Sequence, residues 1–188
     1  MKKLITTFGG FLLIVAFGRP AMAVPVLGGQ LFYSGGAVTV ESLAVTSGYV
    51  SELGLYDASF VRLLNIMNDE PPGVVVSFNP GTAYGFVAGQ ELIFGILVVS
   101  DLGREYFMGP AARNPDGIFH AIRDDLGGGI INVGFEDLFG GGDLDYDDNR
   151  FKFSQGVASA PVPEPATLGM LWLGLLSLVR LSKNRHSR

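Results

Sequence analysis

Short apolar stretches separated by turn-forming residues fill the middle of this 188-residue chain. Residues 37–40 (AVTV) and 43–45 (LAV) are β-prone and bounded by glycine and serine. Runs of the same kind follow at 49–56, 74–78, 91–100, 117–123 and 130–135, each set off by Gly, Pro, Asn or Asp. Phe151-Lys152-Phe153 alternates apolar and charged positions, as a half-buried final strand would. Residues 57–68 are ambiguous, because their apolar positions suit a short helix about as well as a strand. Many short strands with turn signals between them predict an all-β fold, a single antiparallel β-sandwich of jelly-roll-like form. The chain carries no internal repeat, which argues against a solenoid.

Both ends depart from this pattern. Lys2 and Lys3 precede an apolar run from Phe8 to Phe17, and Ala21-Met22-Ala23 supplies a small-x-small site. That layout predicts a secretory signal peptide over residues 1–23, cut between Ala23 and Val24. The apolar run is shorter than the roughly 20 residues of a membrane span, and Arg19 and Pro20 close it. At the other end a proline-rich hinge, 161–165, leads into an apolar stretch from Ala166 to Val179. Arg180, Lys183, Arg185 and Arg188 follow, a basic cluster of the kind that stays on the cytoplasmic side. A short or transient anchor in the inner membrane is therefore expected of residues 161–188.

Val162-Pro163-Glu164-Pro165, an apolar helix and a terminal arginine cluster, in that order, resemble the PEP-CTERM sorting signal. The resemblance implies export by a Gram-negative bacterium that makes exopolysaccharide. It also implies cutting near Pro163, Glu164 and Pro165 by an exosortase, a membrane cysteine transpeptidase. Those residues would then be a processing site on which another enzyme acts.

The expected layout is thus a signal peptide (1–23), a β domain (24–160) and a sorting segment (161–188). Between the two targeting segments lie seventeen acidic and six basic residues, a formal charge of −11 against −5 for the whole chain. Such a surface disfavours nucleic acid and anionic membranes and favours cations, or neutral polymers that carry them. Cysteine is absent, so disulfides, a thiol nucleophile and Cys-ligated metal sites are excluded. Stability must come from the core, from bound metal, or from both.

The densest chemistry is GFEDLFGGGDLDYDDN, residues 134–149, with six carboxylates and no Lys or Arg. Like charges this close disfavour one another's ionisation, so a cation or open water must offset them. Asp143, Asp145 and Asp147 alternate, which places them on one side of an extended segment. Gly140-Gly141-Gly142 before them permits the tight turns of a calcium loop. The pattern is not an EF-hand, which would want Gly at 148 and Glu at 154 where Asp148 and Ser154 stand. Nor is it an RTX repeat, since only one glycine–aspartate unit is present. The candidate ligands of one calcium ion are Glu136, Asp137, Asp143, Asp145, Asp147 and Asp148. Asp143, Asp145 and Asp147 form the expected centre, Glu136 or Asp137 closes the loop, and Tyr146 packs on the domain. The competing reading is a solvated acidic turn whose Asp side chains cap backbone amides.

Asn114-Pro115-Asp116-Gly117, His120 and the GFEDL…GGGDLDYDD stretch resemble the domain of unknown function 4114 family, over residues 49–153. The resemblance implies a β-rich extracellular domain with a calcium-holding acidic motif and no established activity. Phe119 stands before His120 where the family pattern has an acidic residue, which counts against a metal or catalytic dyad there. His120 is the only histidine between the targeting segments, and no G-x-S-x-G elbow accompanies it. An enzyme is therefore not expected. The reading that results is an exported structural or interaction protein of the cell surface, the exopolysaccharide matrix or a biofilm. A calcium-dependent carbohydrate-binding module is the second reading, and a secreted hydrolase the third.

Overall fold

The computed structural model describes residues 24–69 and 71–160. The expected signal peptide and sorting helix lie outside the described residues. Among these residues twelve strands, one short α-helix and a 3-10 turn at Ala111–Arg113 occur, the strands and α-helix in the order β1 (Val26–Leu27), β2 (Leu31–Tyr33), β3 (Val38–Ser42), β4 (Ser51–Tyr56), β5 (Arg62–Asn68), β6 (Val75–Phe78), α1 (Pro80–Tyr84), β7 (Glu91–Val98), β8 (Arg104–Phe107), β9 (Ala121–Gly127), β10 (Ile130–Phe135), β11 (Asn149–Gln155) and β12 (Val157–Ala158). One sheet has the order β1-β9-β10-β11-β3-β6, the other β12-β2-β7-β4-β5 with β8 beside β7. Every pairing is antiparallel. The all-β expectation holds.

Alternation explains which side chains meet between the sheets. Val38 and Val40 of β3, Ile131, Val133 and Phe135 of β10, and Phe151 and Phe153 of β11 are buried on one side. Leu53 and Leu55 of β4 and Leu92, Phe94, Ile96 and Val98 of β7 answer from the other, and all join one core cluster. Phe94 and Phe153 make ring contact across the layers, with centroids 4.7 Å apart. Residues 62–68 resolve the ambiguity of the sequence in favour of a strand, paired along β4. A partner edge was available, and the tertiary setting outweighed the helical alternative.

β7 reads as an unbroken apolar run because both of its faces are covered. Its second face carries Ile93, over which Tyr56 and Phe107 pack with an edge-to-face ring contact of 4.9 Å. Phe60 leans on Phe107, and the Arg113 guanidinium lies 5.9 Å from the Phe60 ring while bonding both oxygens of Glu91 at 2.7 and 2.9 Å. α1 is brief but well made. Asn79 caps it through the Thr82 amide, Pro80 fills the first turn and Gly85 ends it with φ 77°.

Arg123 of β9 joins the two ends of the domain. Its guanidinium donates to the Gln30 carbonyl at 2.6 Å and to the Ser159 carbonyl at 2.9 Å. Among the described residues, no helix is long and apolar enough to cross a membrane.

Phe94 is fully buried at the contact between the sheets, so Phe94→Ala should cost about 3–5 kcal/mol. Urea unfolding should show a lower midpoint with an unchanged slope. A loss below about 1 kcal/mol would contradict a shared core.

Candidate metal centre

The acidic segment leaves β10 and returns to β11 at one end of the sandwich. Gly134 lets it fold back closely, since a Cβ there would lie 2.1 Å from the Tyr146 carbonyl oxygen. The return path is tight. Leu144 and Tyr146 both take left-handed backbone angles, φ 64° and 59°, although neither is glycine. Such conformations cost on the order of 1–3 kcal/mol each and persist only where the surroundings impose them. Tyr146 is buried as expected, and its hydroxyl donates to the Phe119 carbonyl at 3.3 Å.

Three of the six predicted ligands converge. Oxygens of Glu136, Asp143 and Asp145 all lie within 4.8 Å of one another, Glu136 buried and the two aspartates exposed. Glu136 is wholly enclosed. Its Oε1 accepts the Tyr146 amide at 2.6 Å, while its Oε2 is buried without a hydrogen-bond partner. Oε2 lies against Gly142, where a Cβ would come within 2.7 Å of it. Burial pushes the Glu136 carboxyl up to about 7. The Tyr146 amide opposes that rise, and the charges of Asp148, Asp143 and Asp145 add to it.

The other three predicted ligands sit elsewhere. Asp147 accepts from the Thr46 hydroxyl. Asp137 is buried, and its Oδ2 accepts from Ser47 Oγ at 2.5 Å and Asn149 Nδ2 at 3.1 Å. Asp148 Oδ2 accepts the Asp137 amide at 3.2 Å. Alternation separates Glu136 from Asp137, and the left-handed Leu144 and Tyr146 turn Asp147 away from Asp143 and Asp145. Glu136 and Asp137 are successive residues leaving a strand, so their side chains take opposite sides.

His120 braces the site and is not a member of it. The ring is fully buried and stacked on Tyr106, with centroids 3.9 Å apart. Nδ1 lies 2.9 Å from the Glu136 carbonyl oxygen and Nε2 lies 2.8 Å from Asp116 Oδ2. Asp116 also accepts the Gly140 amide at 2.8 Å, so one carboxylate ties the glycine turn to the histidine. Burial works against that carboxylate, but the Gly140 amide and the His120 ring together hold it below its ordinary range. Asn114 of the same turn bonds the Phe107 amide at 2.7 Å and the Ile118 carbonyl at 2.8 Å. With both ring nitrogens engaged, no hydroxyl among the described residues is hydrogen-bonded to the histidine.

Thr46, Ser47 and Asn149 were not singled out from the sequence. Asn149 closes the acidic stretch and carried a weak signal, whereas Thr46 and Ser47 arrive from a distant loop and carried none.

The fold and the loop define a β-sandwich with an acidic centre built at one end. Residues 161–184 match the PEP-CTERM protein-sorting motif. That motif marks the chain as an exosortase-targeted protein exported by a Gram-negative bacterium. No curated protein and no solved structure matches the chain.

The raised carboxyls of Glu136 (about 7) and Asp148 (about 6) set a pH dependence for the metal-free protein. Between about pH 4.5 and 7 the folded state holds protons that the unfolded state has released, so stability falls as pH rises through that window. In chelator, the melting midpoint should be higher near pH 5 than near pH 8. Glu136→Gln should shrink the difference, and a midpoint that rises over the same interval would overturn this account.

Proposed function

We propose that this is a non-catalytic structural or interaction protein of the cell surface or exopolysaccharide matrix, stabilised by calcium at Glu136, Asp143 and Asp145. The single observation that carries the calcium reading is Glu136 Oε2, a carboxylate oxygen enclosed beside two further carboxylates with nothing to bond. A buried charge of that kind is costly unless paired or coordinated. Calcium takes six to eight oxygens from carboxylates, carbonyls and water, and the three side chains here offer oxygen alone. Two of them face solvent, which leaves room for water in the shell. The acidic motif and the Asn114–Gly117 turn support assigning the domain to the domain of unknown function 4114 type. Release near Pro163–Pro165 would leave an acidic, cation-binding domain among polysaccharide chains.

Calcium that binds only the folded state stabilises it by about 2.7 kcal/mol at a hundredfold excess over Kd. The melting midpoint should therefore rise by roughly 5–10 °C between chelator and millimolar calcium. Asp143→Asn/Asp145→Asn should remove most of that rise. Calorimetry without binding heat, together with an unchanged midpoint in chelator, would leave a solvated acidic turn in its place.

A second reading, carbohydrate binding, is favoured by a feature away from the acidic loop. A cleft of about 340 Å³ opens near the start of β7, lined by Tyr56, Tyr84, Phe86, Asp57, Gln90 and Glu91. The exposed Tyr84 ring beside amide and carboxylate groups suits the apolar and hydroxyl sides of a sugar. Binding on a glycan array that Tyr84→Ala weakens at least tenfold would place recognition there. Binding that survives Tyr84→Ala unchanged would remove the cleft from the account.

A further inference from the structure

We propose that β6, the open edge of the sheet that begins at β1, pairs with β6 of a second copy of this chain, antiparallel about a two-fold axis at Val76. The pairing needs no calcium.

Register decides which backbone groups of β6 are free. β6 is the last strand of its sheet and pairs with β3 alone, Val76 opposite Val40 and Phe78 opposite Val38. The Ser42 amide donates to the Val74 carbonyl at 2.9 Å, which marks 42/74, 40/76 and 38/78 as the hydrogen-bonded pairs of an alternating ladder. The amides and carbonyls of Val75 and Ser77 therefore point away from β3, and among the described residues nothing receives them. A second β6 laid antiparallel sets Val75 of each copy opposite Ser77 of the other. Each of those two pairs exchanges two bonds, four in all, and the two copies of Val76 meet at the axis.

The strand also lacks the guards that edge strands carry. Edges are ordinarily blunted by charge, by proline, by bulges or by brevity. Among the described residues, β1 and β12 have two residues each, β8 begins with Arg104 and Glu105, and the β4–β5 pairing shifts register twice. β6 has no charge and no proline, and its register with β3 runs without a shift. Val75 is 58% exposed, while Val76 and Phe78 pack on the core only in part. An added strand would cover all three.

Charge selects the occupant. Residues 71–90 hold no Asp, Glu, Lys or Arg, twenty positions in a domain whose formal charge is −11. Copies of such a domain repel wherever acidic surfaces face, so a contact between them must use an uncharged strip. The nearest charge on β3, Glu41 opposite Val75, is already paired with Lys152. A basic partner would be drawn to the acidic loop instead. An identical strand brings no charge and, under two-fold symmetry, presents the matching donors and acceptors. The contact is small, of the kind that forms reversibly. In a matrix it would give each assembly two acidic loops.

The test is sedimentation of the exported protein in chelator, over rising concentration and at low and high salt. Monomer and dimer should exchange, with the dimer favoured by concentration and by salt, which screens the repulsion between copies. Val75→Pro deletes a donor that β3 does not use, and with it two of the four bonds between copies. It should weaken the dimer by roughly tenfold or more. Should Val75→Pro lower the urea midpoint, single cysteines in this cysteine-free chain decide the matter. Val76→Cys should cross-link readily under mild oxidation, because the axis sets the two positions face to face. Val75→Cys should cross-link far more slowly, because diagonal positions lie about 7–8 Å apart, beyond disulfide reach. A mass of one chain at every concentration, or equal cross-linking of the two cysteines, would overturn the proposal. So would a dimer that chelator abolishes, or one that a well-folded Val75→Pro leaves unchanged.

Discussion

The acidic end of this domain depends on one enclosed carboxylate. Glu136 follows directly from the last residue of β10, so its backbone is fixed by the sheet and its side chain cannot swing out to water. One oxygen is used to hold the Tyr146 amide, and that bond folds the loop back over Gly134. The other is buried against Gly142 without a partner, in a group where oxygens of Glu136, Asp143 and Asp145 lie within 4.8 Å of one another. The loop's neutral donors do not cancel its charge, so the balance must be completed by a proton, by a cation or by the water around the two exposed aspartates. Left-handed Leu144 and Tyr146 are the backbone's contribution to that arrangement, a strain the surrounding contacts hold in place.

The remainder of the fold makes such a loop possible by keeping its two stems rigid. β10 and β11 are paired from Ile131↔Phe153 to Phe135↔Asn149, and each buries alternate side chains in the shared core. The second sheet contributes through β8. Tyr106, held beside Ile96 of β7, offers the flat surface on which His120 lies. The histidine in turn grips the Glu136 carbonyl and, through Asp116, the glycine turn. Core packing thus reaches the charged loop through a short series of contacts, ring on ring and then hydrogen bond to hydrogen bond. A loop with so much mutual repulsion would otherwise spread into solvent.

The sequence disclosed the parts of this design that depend on local chemistry. Strand positions in 37–40, 51–56, 75–78, 91–98 and 130–135 were legible because β-branched and aromatic runs between turn residues have few other uses. β8 was not, because REYF mixes charge with aromatics and is a strand only beside the exposed edge of β7. β1 and β12 are two residues each and exist only as partners of β9 and β2, so no local signal could have found them. Residues 43–45, β-prone by composition, form no strand. Their loop instead carries Thr46 and Ser47 to the acidic segment. Within that segment the alternation of Asp143, Asp145 and Asp147 suggested one face. The left-handed turns at Leu144 and Tyr146 break the extended geometry on which that inference relied, and Asp147 goes to Thr46. Residue types located the chemistry, and backbone angles decided its grouping.

The Arg123 grip has a mechanical side. Its guanidinium holds the carbonyls of Gln30 and Ser159 together, and just beyond Ser159 the chain runs on toward the residues an exosortase recognises. Any pull on that end, as from an enzyme at work on the tail, loads Ser159 early. The next element inward is β12, whose two residues are paired with β2 and would peel one bond at a time under such a load. Arg123 stands in front of that weak seam. Because the same side chain also holds Gln30, the load passes to the link between β1 and β2, and the tether at one end of the domain is shared by both.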